Sequence, residues 1–232
     1  MRIAQNVEML EIDGMGGAVY PTLAWDDKHL VLADAGFPGQ ADAIVQSITE
    51  AGFQAERLTH IIITHQDLDH IGCVLDMLKL SPSALVMAHE EEVPYLDGRK
   101  TPIKLAAMLE RYDSLPDDRK AWCDNFKQGY ASRKIPVSQT LSDGDILPIC
   151  GGIEVIHTPG HTPGHICLFL RESGILVCGD ALNIGDGKLV GPNPQHTYDM
   201  KLGKKSAEIL KQYLFNAAVA YHGGYYREAP AE

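Results

Sequence analysis

The sequence predicts a layered α/β fold built as a single domain over residues 1–232. Three observations carry that prediction. Apolar runs of strand length alternate with segments of helical spacing, several of those runs stop in His or Asp beside Gly or Pro, and one helix-rich stretch, 94–134, interrupts the alternation. With 232 residues, 45% of them hydrophobic, the chain can fill an ordinary core without staples.

The elements follow in order. IAQNVEML, GAVYPTLAW and HLVLAD read as short strands punctuated by Gly14, Gly16, Gly17 and Asp26-Asp27. From Gln40 to Ala51, the residues Ile44, Val45, Ile48 and Ala51 recur at helical spacing, and Gly52 supplies a stop. LTHIIITH is a buried strand, CVLDMLKL a helix and ALVMAH another strand. Within the insertion, Thr101 is expected to cap a helix that begins at Pro102 and carries Ile103 and Ala107, and Leu105 and Leu109, four apart. A second helix over 121–131 has Trp122, Phe126 and Tyr130 four apart. The insertion is too short to hold much core of its own, so its aromatic residues either pack onto the body or roof a pocket as a lid. Strands return in DILPICG, IEVIHTPG, HICLFLRE and GILVCGD, and Met200, Gly203, Ala207, Leu210 and Leu214 predict a helix over 199–214. AAVAYHGG reads as a last buried strand ending at His222.

Composition removes several function classes. A net charge of -11 argues against a general nucleic-acid binder, which needs a concentrated basic surface. There is no basic leader followed by an apolar run and no stretch of membrane-spanning length, so a cytoplasmic enzyme without a membrane partner is the default expectation. Five cysteines, odd in number and with no CxxC pair, suggest neither a disulfide framework nor a thiolate zinc site.

The chemistry lies at the strand ends. His65, Asp67, Asp69 and His70 crowd against the buried run Ile61-Ile62-Ile63, and several unpaired charges cannot share one buried rim without a cation. Adding the residues that end the later runs gives His65, Asp67, Asp69, His70, His161, Asp180 and His222, all oxygen or imidazole ligands suited to zinc, manganese or iron. In layered α/β folds such sites lie beyond the carboxyl ends of strands.

TH-x-D-x-DH at 64–70, TPGHTPGH at 158–165, Gly179-Asp180 and His222, with LADAG at 32–36 upstream, resemble the metallo-β-lactamase-fold hydrolase superfamily from Val19 to His222. The resemblance implies a four-layer αββα sandwich with metals at the edge between its sheets. It implies two divalent ions and no organic cofactor: His65, Asp67 and His161 at a first position, Asp69, His70 and His222 at a second, and Asp180 bridging. Asp67 departs from the family's HxHxDH, which makes manganese or iron more plausible beside zinc. Asp69 is expected to ligate metal and orient the nucleophile, and His165 to support the ligands without touching metal.

Within that superfamily, the short interval between His161 and Asp180 and the lack of a basic tract disfavour nucleases, and the ten residues after His222 leave no room for the C-terminal helices of glyoxalase II. TPGHTPGH is similar to a motif of the quorum-quenching lactonase and small-ester hydrolase branch. Trp122 and Phe126 are expected to line the acyl side of a substrate pocket. Asn183, also expected at the substrate pocket, stands where those lactonases carry Tyr, three positions beyond the bridging Asp. The expected function is a metallo-hydrolase in which metal-activated hydroxide opens a lactone or cleaves a small carboxylic ester, acting on a small molecule as a monomer or homodimer. Phosphoester hydrolysis, a mononuclear iron dioxygenase and a non-catalytic metal-binding protein are the alternatives.

Overall fold

The computed structural model describes residues 1–14 and 17–227; Gly16, one of the expected turn glycines, lies outside the described residues. Seven strands form the first sheet in chain order: β1 (Arg2–Ala4), β2 (Val7–Met9), β3 (Thr22–Trp25), β4 (Leu30–Ala33), β5 (His60–Ile63), β6 (Leu85–His89) and β7 (Gln139–Leu141). Pairing is antiparallel up to β4 and parallel from β4 to β7. The parallel crossovers carry α1 (Ala41–Glu50), α2 (Leu68–Ile71) and α3 (Val74–Leu80), then the insertion with α4 (Val93–Leu96), α5 (Ile103–Leu109) and α6 (Asp117–Ala131).

The second sheet is built from β8 (Ile146–Leu147), β9 (Ile153–His157), β10 (Ile166–Leu170) and β11 (Ile175–Val177). A small hairpin, β12 (Asn183–Gly185) with β13 (Lys188–Val190), and α7 (Met200–Leu210) follow, before β14 (Ala217–Ala220) and β15 (Gly224–Arg227) complete the sheet in the order β15-β14-β11-β10-β9-β8.

Strand side chains alternate between faces, and this alternation sorts the core into layers. Ile62 of β5 and Val155, Ile166 and Leu168 of β9 and β10 pack between the two sheets. Ile61 and Ile63 face α1 and α3 on the outer side of the first sheet, with Ile44, Ile48, Val74 and Met77. Ile156, Cys167 and Leu176 face outward from the second sheet onto Ala207 and Leu210 of α7. Helix, sheet, sheet and helix are thus separated by three apolar layers, the αββα sandwich. Leu96, Leu105, Cys123 and Tyr130 join the outer core of the first sheet, so the insertion packs onto the body.

Several local expectations change. IAQNVEML is two strands divided by a turn at Gln5-Asn6, and only the end of GAVYPTLAW is strand, since Pro21 has no N–H to give a ladder. Thr101 does not cap α5, which starts after an extended Pro102 with no side-chain cap. α6 starts at Asp117 instead of 121, with Asp117 and Asp118 favourable at the positive end of the helix dipole. α7 is capped by Asp199, which accepts from the backbone N–H groups of Lys201 and Leu202, and it stops at Leu210; Leu214 is 95% exposed and outside the stripe. The strand before His222 is followed by an edge strand, β15, that was not expected. Among the described residues no helix is long and apolar enough to cross a membrane.

Candidate metal centre

The seven selected residues converge from both halves of the sandwich. His65 and Asp67 follow β5, Asp69 and His70 lie on α2, His161 sits between β9 and β10, Asp180 follows β11, and His222 follows β14. Their ligating atoms fall into two groups, His65, Asp67, His161 and Asp180 in one and Asp69, His70 and His222 in the other, each with its atoms within 4.8 Å of one another.

Asp180 reaches both groups. Its Oδ2 is 3.3 Å from His161 Nε2 and 3.5 Å from His222 Nε2, and its Oδ1 is 3.3 Å from His70 Nε2. In the first group Asp67 Oδ2 lies 3.1 Å from His65 Nε2 and 2.8 Å from His161 Nε2. In the second, Asp69 Oδ2 lies 3.0 Å from His222 Nε2 and 3.7 Å from His70 Nε2.

A chain of hydrogen bonds behind these residues fixes their tautomers. His70 donates Nδ1–H to Asp34 Oδ2 at 2.8 Å, and the same carboxylate accepts from Thr64 N–H and Thr64 Oγ1–H, both at 2.8 Å. Because the Thr64 hydroxyl proton goes to Asp34, its oxygen accepts from His65 Nδ1–H at 3.0 Å. Both rings therefore present an Nε2 lone pair to the cluster when neutral. Asp34 adopts φ 62°, a left-handed backbone uncommon outside glycine and worth maintaining only where neighbours fix it.

The charges respond accordingly. Burial, followed by the neighbouring His70, drives His65 down to about 4, so the ring is neutral. Burial also opposes charge on His70, but Asp34, Asp180 and Asp69 overcome it and hold that ring well above the ordinary imidazole range. Burial opposes charge on His222 too, yet hydrogen bonds to Asp180 and Asp69 push it up to about 9. Burial works against the Asp67 carboxylate; Lys104 and then His65 hold it well below the usual range.

The donor set fits divalent metal. His65 Nε2 and Asp67 Oδ2 are two acceptors facing each other at 3.1 Å, an arrangement that needs a cation between or beside them. His70 Nε2 and Asp180 Oδ1 are buried and make no hydrogen bond, as expected of atoms reserved for coordination. His165 is not in that position: its Nδ1 pairs with Thr158 Oγ1 at 2.8 Å and its Nε2 accepts from Asp180 N–H at 3.0 Å, so one nitrogen fixes the ring and the other holds the Asp180 backbone. Gly179 allows this approach, since a Cβ there would lie 2.6 Å from His165 Nε2.

Three further residues were not singled out from sequence. Glu92, fully buried, accepts from Gln66 N–H, Gln66 Nε2, Thr162 Oγ1 and Gly164 N–H at 2.7 to 3.0 Å, tying the loop of Asp67 to the loop of His161. Tyr221 stacks on His70 at 3.8 Å and donates its hydroxyl to the Asp69 carbonyl at 2.7 Å. Lys104, from α5, places Nζ against Asp67 Oδ2 and 3.3 Å from His161 Nε2. The nearest sequence signal for Lys104 was Asp67 itself, an extra carboxylate in want of a counter-charge.

Trp122 and Phe126 stack at 5.0 Å and line a cavity of about 910 Å³ with Phe37, Pro38 and Leu68. Leu68, which stands between Asp67 and Asp69 in the chain, is one wall of that cavity, and none of the seven clustered residues lines it. Asn183 lines a different cavity, of about 500 Å³, with Val190, Pro192 and Met200.

Similarity to known proteins agrees with this architecture. The chain is 32% identical over 160 residues to the probable metallo-hydrolase YflN of Bacillus subtilis (strain 168), a match spanning 68% of this chain but 57% of that relative. It is 26% identical over 208 residues to the hydroxyacylglutathione hydrolase GloC of Haemophilus influenzae, covering 88% of this chain and 85% of that one. In structure it resembles a metallo-β-lactamase family protein from Thermus thermophilus, with a TM-score of 0.77 at 23% identity over 97% of this chain and 76% of the other. A Cronobacter sakazakii metallo-β-lactamase with an HARLDQ motif superposes with a TM-score of 0.67 at 19% identity, covering 95% of this chain and 79% of the other. With the family profile described as Metallo-beta-lactamase superfamily matching residues 14–226, the chain belongs to the metallo-β-lactamase superfamily.

Proposed function

We propose that the protein is a metal-dependent hydrolase of lactones and small carboxylic esters, holding divalent ions through His65, Asp67 and His161, through Asp69, His70 and His222, and through Asp180 between them. The observation that carries this reading is the convergence of the seven ligand-type residues into two groups, and the apolar cavity of Trp122 and Phe126, whose wall includes Leu68 between Asp67 and Asp69 in the chain, supports the acyl side of it. Divalent ions bound there would acidify a water and polarise an acyl oxygen. The chain's own contribution is positional. Asp69 is held through its carbonyl by Tyr221 and through its carboxylate by His222, so it orients what sits on the open side of the cluster. The cavity supplies apolar surface for an acyl chain, worth about 0.8 kcal/mol per buried methylene. Asp67 in place of an imidazole favours manganese or iron beside zinc.

Acyl thioesters are a second substrate class, favoured by the GloC similarity. That relative aligns over 85% of its own length, so the tail helices expected of glyoxalase II do not separate this chain from every relative of that name. The test is a panel of acyl-homoserine lactones, simple lactones, aryl esters, acyl thioesters and phosphodiesters, offered to protein loaded separately with zinc, manganese or iron. Turnover of carbonyl substrates that improves with acyl length until the cavity is filled is the expected result. Cleavage of phosphodiesters alone would overturn the carbonyl assignment and leave the metal centre standing.

A further inference from the structure

The first ligand group already contains a cation from the chain itself. Lys104 Nζ contacts Asp67 Oδ2 and lies 3.3 Å from His161 Nε2, so it stands among the atoms assigned to the first metal position. Building on the metal-centre reading above, we propose that Lys104 is an internal competitor for that position, and that an ion enters the first group only by displacing the ammonium.

Three observations place the lysine there by construction. Gln66, inside the THQDLDH segment, accepts the backbone N–H of Ile103 on its Oε1 at 2.9 Å, and donates its own Nε2 to the buried Glu92 at 3.0 Å. The first turn of α5 is thereby anchored to the same loop that carries His65 and Asp67. Second, Asp67 is the carboxylate that stands where the sequence resemblance leads one to expect an imidazole, and it is the residue the ammonium touches. Third, the charges close. Counted without Asp34, which stands behind His70, the three carboxylates Asp67, Asp69 and Asp180 are balanced by one ammonium and one divalent ion. Adding a second ion while Lys104 remained would leave a formal excess of two positive charges, with ammonium and ion sharing one oxygen, a repulsion that a buried site screens poorly. The ammonium and a first-position ion therefore exclude one another. Among the described residues no ammonium or guanidinium pairs with Asp69 of the second group, whose partners are His70 and His222.

The experiment measures metal and lysine directly. Wild-type protein, Lys104→Met and Lys104→Gln are dialysed against graded zinc or manganese, and bound metal is counted by elemental analysis, with circular dichroism confirming the fold. In parallel, accessibility of Lys104 in the wild type is followed by reductive methylation and mass spectrometry as metal is added. One tightly held equivalent and a second, weaker one are expected in the wild type. Both neutral variants should bind the second equivalent roughly ten- to a hundredfold more tightly, as when one close charge pair is removed. Methylation of Lys104 should rise as the second equivalent binds. Two equivalents of unchanged affinity in the variants, or a lysine no more reactive when both ions are bound, would overturn the competition while leaving the metal centre intact. No metal in any of the proteins would overturn both readings.

Discussion

The two candidate ligand groups of the cluster both lie within reach of Asp180 but differ in almost everything else. His65, Asp67 and His161 are sealed, with side chains 0 to 3% exposed, and face a lysine. Asp69 and His222 open outward, the latter 37% exposed, and are backed by a buried pair, His70 with Asp34. One region is closed and already holds an ammonium, while the other is open and pairs its carboxylate with its own imidazoles. A single short segment, THQDLDH, can therefore furnish two sites of unequal readiness, because a residue from a distant helix decides which carboxylate is already paired.

The most severe challenge to this contrast is to remove what the groups share. Asp180→Ala should strip metal from both and reduce kcat/KM by more than the roughly 10- to 100-fold typical of outer partners. Retention of full metal content by that variant would show that Asp180 bridges nothing. A smaller and one-sided effect is expected from Asp34→Asn, which keeps a hydrogen-bonding group but loses the charge facing His70. Affinity at the second group should fall by roughly 10- to 100-fold while the first is affected less. Equal weakening of both positions in an equilibrium titration would contradict the division.

pH offers a finer test. In the metal-free protein His222 titrates at about 9, above the ordinary imidazole value of about 6.5. A raised folded value means that its contribution to stability is fully present below about 6.5 and is lost as pH rises through about 9. Coordination needs the neutral ring, so metal binding near neutral pH should release a proton, and affinity should weaken as pH falls. Calorimetric titrations in buffers of different ionisation enthalpy measure that release, and a heat independent of buffer would refute it.

The smallest effect is expected at the cavity wall. Trp122 is 51% exposed, so Trp122→Ala should change stability by no more than about 0.5 kcal/mol while flattening the gain in kcat/KM with acyl length. An undiminished gain would separate this cavity from the acyl group.

The layered fold was legible because a strand buried on both faces needs an unbroken apolar run: Ile61 and Ile63 belong to one core and Ile62 to another. The seven clustered residues were legible because each ends a strand-like run. Glu92 was not. In the run Glu90-Glu91-Glu92 three carboxylates look like a solvated face, and only the convergence of four donors on the third makes it an interior residue. Lys104 was hidden for a related reason, since its meaning depends on how Gln66 anchors α5. β12, β13 and β15 are short and half-exposed, so they carry too little apolar pattern to announce themselves.

Because each ligand group draws its members from both sheets, coordination would act as a weld across the seam of the sandwich. Ions bind only when the halves are docked, so their binding free energy becomes part of the cooperativity of unfolding, about 2.7 kcal/mol for one ion at a hundredfold excess over its dissociation constant. Chelation should therefore lower the melting temperature and also loosen the seam first. Amide hydrogens of the loops around Gln66 and Gly164 would exchange early, while those of β5 and β10 keep the protection of the global fold.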